Sequence, residues 1–263
     1  MIELQSLRTN IRRNTKFIID HLSDQYIVRG NGKKNNPISS ICMFCGSNKD
    51  LTREHVIPKW AFERKTDKFF LTTINGLPQT YNKTTIPACI KCNSVLLNEI
   101  EKHVLRIFSN HNIPDSYFSN EELEQVIRWI EILDYKLQVF SLSTKFRASK
   151  KNGHIPFLAD HSISVLDPNI DYSPAKVISG LRSSLKRISI KSKSGQMNSL
   201  VIFKTRNKEF GFFHKNNDYL FLELPQKQVA VFYFFQKVFA DVVEARDQAL
   251  SIIKEQYKEG TAS

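Results

Sequence analysis

Four cysteines in two C-x2-C pairs constrain this chain more than any other feature. They stand in Cys42-Met43-Phe44-Cys45 and Cys89-Ile90-Lys91-Cys92, and the sequence holds no other cysteine. Two such pairs brought together supply four thiolates, the ligand set of a tetrahedral structural zinc. A zinc on Cys42, Cys45, Cys89 and Cys92 closes residues 42–92 into a loop. Inside that loop runs Leu51-Thr52-Arg53-Glu54-His55-Val56-Ile57-Pro58-Lys59-Trp60. A histidine beside a carboxylate in a metal-closed loop points to a zinc that supports a site and is not itself the site. Two disulfides are the competing use of four cysteines and belong to oxidising compartments. The x2 spacings favour reduced thiols, and residues 1–8 lack the basic-then-apolar pattern of a signal peptide. The expectation is a cytoplasmic protein.

Composition narrows the partners. The net charge is +12, with 41 % apolar and 11 % aromatic residues. That apolar content builds a core and excludes a disordered chain. The charge favours a polyanionic partner, nucleic acid first, although basic proteins that bind none also exist. No run approaches the roughly 20 apolar residues needed to cross a bilayer, so no membrane partner is expected. Basic residues cluster at Arg8, Arg12, Arg13 and Lys16, at Lys145, Arg147, Lys150 and Lys151, and at Arg182, Lys186, Arg187, Lys191 and Lys193. A charge run is ordinarily a solvated face, but three of them suit contacts to a nucleic-acid backbone.

The sequence predicts an α+β chain in three stretches. Residues 1–37 form a basic lead-in, helical over 7–22, ending in the Asn-, Gly- and Lys-rich loop 30–37. Residues 38–112 hold the cysteine module. Its β-branched residues before each knuckle suggest short strands, and Val95, Leu96, Ile100, Val104 and Ile107 after Cys92 have helical spacing. Residues 113–263 form a C-terminal α+β module. Ser119 and Glu122 make a capping box, followed by an apolar face from Leu123 to Phe140. A second amphipathic helix spans 174–190. Four short apolar runs between residues 200 and 235 read as an antiparallel meander, and a last helix covers about 237–257.

The chemistry follows from residue types. A histidine with a near-neutral pKa can deprotonate water, and a neighbouring carboxylate can hold a divalent metal. Asn93 follows Cys92, so the zinc fixes its position as a further oxygen ligand. Such a metal would polarise a scissile phosphate while His55 activates water.

Taken in order, Cys42-x2-Cys45, Glu54-His55-Val56-Ile57-Pro58 and Cys89-x2-Cys92-Asn93 resemble the zinc-containing branch of the HNH nuclease family. The resemblance covers residues 38–112. It implies a ββα-metal fold, His55 as general base, Glu54 and Asn93 as Mg2+ or Mn2+ ligands, and a structural Zn2+ on the four cysteines. The family more often carries Asp before the histidine. Its middle Asn, which orients the loop, corresponds best to Asn82, which lies closer to the second knuckle than Asn75. Asn98 and Glu101 on the following helix could support the metal. Arg53 and Lys59 are the phosphate contacts expected beside the motif. The implied substrate is nucleic acid, DNA ahead of RNA, with a regulatory partner protein and an association with bacterial defence against phage. The alternative is a non-catalytic zinc module that binds nucleic acid or a protein.

Overall fold

The computed structural model describes residues 1–28, 40–62, 69–71, 78–111, 117–145 and 174–261. Expectations for the loop 30–37, Asn75, Arg147, Lys150 and Lys151 lie outside the described residues. The chain divides into two compact units, Met1–Glu101 with Leu133–Ser189, and Lys102–Ile132 with Ile190–Ser263. Among the described residues no helix is long and apolar enough to cross a membrane.

The first unit opens with α1 (Ile2–Leu22), which buries Leu4, Leu7, Ile11, Ile18, Ile19 and Leu22 at helical spacing. One wide turn (Ser23–Val28) extends it. Residues 42–46 then form the first knuckle. The Cys42 amide donates to the Ser47 carbonyl at 2.7 Å, and the Gly46 amide to the Cys42 carbonyl at 2.8 Å. Gly46 has φ +74°, and a Cβ there would lie 2.8 Å from Phe17 of α1. Both the left-handed backbone and the close approach therefore require glycine.

Strand β1 (Leu51–His55) leads into the short α2 (Lys59–Phe62). A hairpin of β2 (Phe69–Leu71) and β3 (Pro78–Thr80) follows, and then β4 (Thr85–Cys89). β1 and β4 pair antiparallel, with Leu51 opposite Cys89 and His55 opposite Thr85. The last residue of β4 is thus the first ligand of the second knuckle. A wide helical turn, Lys91–Leu97, carries Cys92 and Asn93 and runs into α3 (Asn98–Asn110). Leu96, Ile100, Val104 and Ile107 are buried as the spacing predicts, but Val95 is exposed. A widened turn advances less per residue than an α-helix, so Val95 rotates off the apolar face.

Helix α4 (Asn120–Lys145) begins on the expected capping box. The Ser119 amide donates to Glu122 Oε2 at 2.8 Å, and the Glu122 amide to Ser119 Oγ at 3.2 Å. Sequence spacing predicts one apolar face, yet residues 125–140 are buried around the whole circumference. The polar side of the helix is neutralised in place. Glu131 meets Lys193 at 2.6 Å, and Asp134 meets Arg187. Arg187 lies on α5 (Pro174–Ser189), which matches the expected second helix.

The second unit is built on a four-stranded antiparallel sheet. Its strands are β5 (Leu200–Lys204), β6 (Gly211–Lys215), β7 (Tyr219–Leu224) and β8 (Val229–Phe234), in the order β5-β8-β7-β6. The last three form the expected meander, while β5 lies against β8. The final helix, α6, spans Val242–Thr261 and starts later than its apolar pattern suggests. Asp241 Oδ1 accepts from the Val243 and Glu244 amides at 2.8 and 3.0 Å, an N-cap that sets the boundary. Phe221, Phe232, Phe234 and Phe239 pack with Ala245 and Ala249 into one core. Phe232→Ala should lower stability by about 3–5 kcal/mol in equilibrium urea unfolding, and a loss below ~1 kcal/mol would contradict this core.

A four-cysteine metal centre and a candidate active site

The two knuckles bring four sulfurs together. All four Sγ atoms lie within 4.8 Å of one another, and Cys45 and Cys89 are 3.7 Å apart. Four sulfurs about 2.3 Å from a tetrahedral zinc stand about 3.8 Å apart, so the residues fit the ion. Cys42, Cys89 and Cys92 are buried and Cys45 half-buried. The thiols shift in opposite directions. The hydrogen bond from Cys92 lowers Cys42 to about 5, while burial raises Cys45 to about 11. Cys92 rises because its hydrogen bond to Cys42, and then its burial, favour the thiol. Sulfurs this crowded cannot all ionise without a cation among them, and a dication supplies that charge.

The metal centre anchors both ends of a small active-site-like framework. β1 alternates, with Arg53 exposed and Glu54 buried. His55 ends the strand at the mouth of a cleft of about 500 Å3, which Glu54, Lys59, Asn93, Asn98 and Glu101 also line. Asn82 sits in the tight turn Tyr81–Lys83 just before β4. Its Oδ1 lies 3.3 Å from His55 Nε2. A carboxamide oxygen only accepts, so Nε2 carries the proton and Nδ1 the lone pair. Burial lowers the His55 pKa, opposed by the Asn82 hydrogen bond and reinforced by Lys59. The ring is therefore a neutral base at neutral pH.

Asn93 is fixed from below. Its Nδ2 donates to Thr52 Oγ1 at 2.8 Å and to the Arg53 carbonyl at 3.4 Å. Thr52 Oγ1 in turn donates to the Ala88 carbonyl at 2.8 Å. These bonds commit the amide nitrogen and leave Oδ1 as the atom that could serve a metal. Glu101, eight residues further on, is pushed up to about 7, with burial the main cause and Lys136 opposing it.

Lys136 was not legible as a site residue. It lies on α4, outside the motif, and is fully buried. Its Nζ donates to Glu54 Oε1 at 2.6 Å, to the His55 carbonyl at 2.9 Å and to Glu101 Oε1 at 3.5 Å. Three acceptors meet three ammonium protons. Burial works against the charge, but Glu54 and Glu101 outweigh it and the pKa rises. Nothing in the sequence around it sets it apart from the other polar residues of the helix, Arg128, Glu131, Asp134 and Gln138.

The structure therefore brings Glu54, His55, Asn82 and Asn93 together and adds Lys136, with Asn98 and Glu101 on the cleft wall. Lys59 lines the cleft and Arg53 does not. Two cations expected to face a nucleic acid are instead internal: Arg187 pairs with Asp134 and Lys193 with Glu131. Among the described residues, the four cysteines are the one group of three or more His, Cys, Asp or Glu whose ligand atoms converge. A second metal in the cleft would need asparagine oxygens beside Glu54. Hard oxygen donors of that kind suit Mg2+ or Mn2+. Comparison with protein-family models, curated proteins and solved structures found no match for the chain.

Removing one member of a buried ion pair leaves the other charge uncompensated. Lys136→Met should destabilise the first unit by about 3–5 kcal/mol, and adding Glu54→Gln should recover part of that loss. Denaturant unfolding of the single and double variants checks this, and additive losses would refute the coupling.

Proposed function

We propose that this chain is an HNH-type endonuclease, dependent on a divalent metal, that hydrolyses phosphodiester bonds in DNA inside the cell. The observation that carries this reading is the His55–Asn82 pair. A neutral histidine, oriented by an asparagine at 3.3 Å, stands on a cleft with Glu54 and Asn93 inside a four-cysteine frame.

In this reading His55 Nδ1 takes the proton from an attacking water. Asn82 keeps the ring in the tautomer that leaves Nδ1 basic. Asn93 Oδ1 and Glu54 Oε2 would hold Mg2+ or Mn2+, which when bound would supply positive charge to polarise the phosphate. Lys136 fixes the Glu54 carboxylate through Oε1. Lys59, on the cleft wall, meets a substrate phosphate, and Arg53 contacts the backbone outside the cleft. A partner protein or activating signal restrains the enzyme in the cell.

One observation favours a second reading, a non-catalytic zinc module that binds nucleic acid or a protein. Lys136 already neutralises Glu54, which lowers the charge available to a divalent ion. The two readings part on His55. General-base catalysis contributes about 10^2–10^4-fold, so His55→Ala should slow Mg2+- or Mn2+-dependent plasmid cleavage by that factor, and EDTA should abolish it. Equal cleavage by wild type and His55→Ala would refute the assignment. DNA binding without cleavage by either protein would favour the second reading.

A further inference from the structure

The first unit carries a second concave surface, remote in sequence from the cysteine motif. Arg12, Arg13 and Lys16 of α1 and Arg182 and Lys186 of α5 line one open groove of about 680 Å3, with Asp20 the acidic residue on its wall. The two helices are locked together at one end, where Arg8 Nε donates to the Ile188 carbonyl at 2.8 Å. Positions 12 and 16 stand one turn apart on α1, as do 182 and 186 on α5, so each helix turns a basic edge to the same space.

We propose that this groove is a track for nucleic-acid phosphates, the surface by which the protein holds its substrate backbone. The proposal rests on the nuclease reading for what becomes of the bound strand, and not for the binding itself. The fate of the neighbouring cations separates this groove from an ordinary solvated face. Arg187 on α5 is drawn inward onto Asp134, and Lys193 beyond it onto Glu131. The five groove cations are exposed, and no ion pair joins them to a described acidic residue. Like charges gathered in a concavity repel one another and focus a positive potential, which an anionic polymer relieves.

Two further features favour a phosphate backbone over a base-reading contact or a small anion. The neutral polar side chains on the groove wall are the short hydroxyls Thr15 and Ser189, so no Asn or Gln stands there to pair with adenine. The groove is open along the two helices, which suits a strand passing through. It is also tied to the metal centre. Phe17 of α1 packs against Gly46 in the first knuckle, and α1 packs on the turn Lys91–Leu97 that carries Cys92 and Asn93. A strand held in the groove is therefore held on the unit that contains His55.

The test is fluorescence anisotropy with a short labelled duplex and the full zinc-loaded chain, with no Mg2+ or Mn2+ added so that nothing is cut. The groove variants are Arg12→Glu with Lys16→Glu, and Arg182→Glu with Lys186→Glu. The control is Lys204→Glu with Lys208→Glu, an equal charge change on exposed residues of the second unit. Zinc content and circular dichroism confirm that each variant is folded. Each groove pair should weaken binding about tenfold or more, and the salt dependence of log K should fall by about two. The control should change affinity less than about threefold. Groove variants that bind like wild type, or a control that loses as much, would overturn the proposal. So would displacement of the duplex by an equimolar concentration of inorganic tripolyphosphate, which would make the groove a small-anion site. Tight, groove-dependent binding by a wild-type protein that cuts nothing when Mg2+ or Mn2+ is restored would sink the nuclease reading alone. Cleavage with groove-independent binding would sink this proposal alone.

Discussion

Four thiols within 4.8 Å of one another decide where almost everything in the first unit stands. β4 ends on Cys89, so a metal held there fixes the register of β1 against β4. That register puts His55 opposite Thr85, within reach of the turn that carries Asn82. The same metal holds Cys92, which sets Asn93 and the start of α3. The first knuckle closes only because Gly46 takes a left-handed turn under Phe17, so α1 is seated on the metal centre as well. A short two-stranded ribbon is marginal in water on its own. A zinc cross-link between its ends would turn it into a rigid support.

The second constraint is electrostatic and comes from α4. A helix buried all round must pair every charge it carries. Lys136 does so with Glu54, His55 and Glu101, and this links the metal module to a helix far along the chain. The link cuts both ways. It fixes the Glu54 carboxylate in place, and it spends half of that carboxylate on an ammonium.

Much of the site could be read from spacing. The C-x2-C pairs located the cysteine cluster, and Asn82, preferred over Asn75 as the loop-orienting Asn of the resemblance, lies 3.3 Å from His55. Local signals also served well where the physics is local: the Ser119–Glu122 box starts α4, and the apolar runs after residue 200 became strands. The misses have tertiary causes. Val95 left its helical face because the turn after Cys92 is widened. The start of α6 was set by an Asp241 cap and not by hydrophobic pattern. Arg187 and Lys193 looked like surface charge because their partners, Asp134 and Glu131, lie more than fifty residues away on a helix whose burial no periodicity announces. Lys136 was hidden for the same reason. An ion pair between distant residues, unlike a C-x2-C spacing, leaves no local pattern in a single sequence.

The central claim is that a zinc on four cysteines builds the frame on which His55 stands. X-ray absorption at the zinc edge, with a metal count on purified protein, tests it most directly. The account predicts one zinc per chain with a shell of four sulfurs at about 2.3 Å. A protein free of zinc with its cysteines oxidised in pairs, or a zinc shell dominated by nitrogen and oxygen, would contradict it.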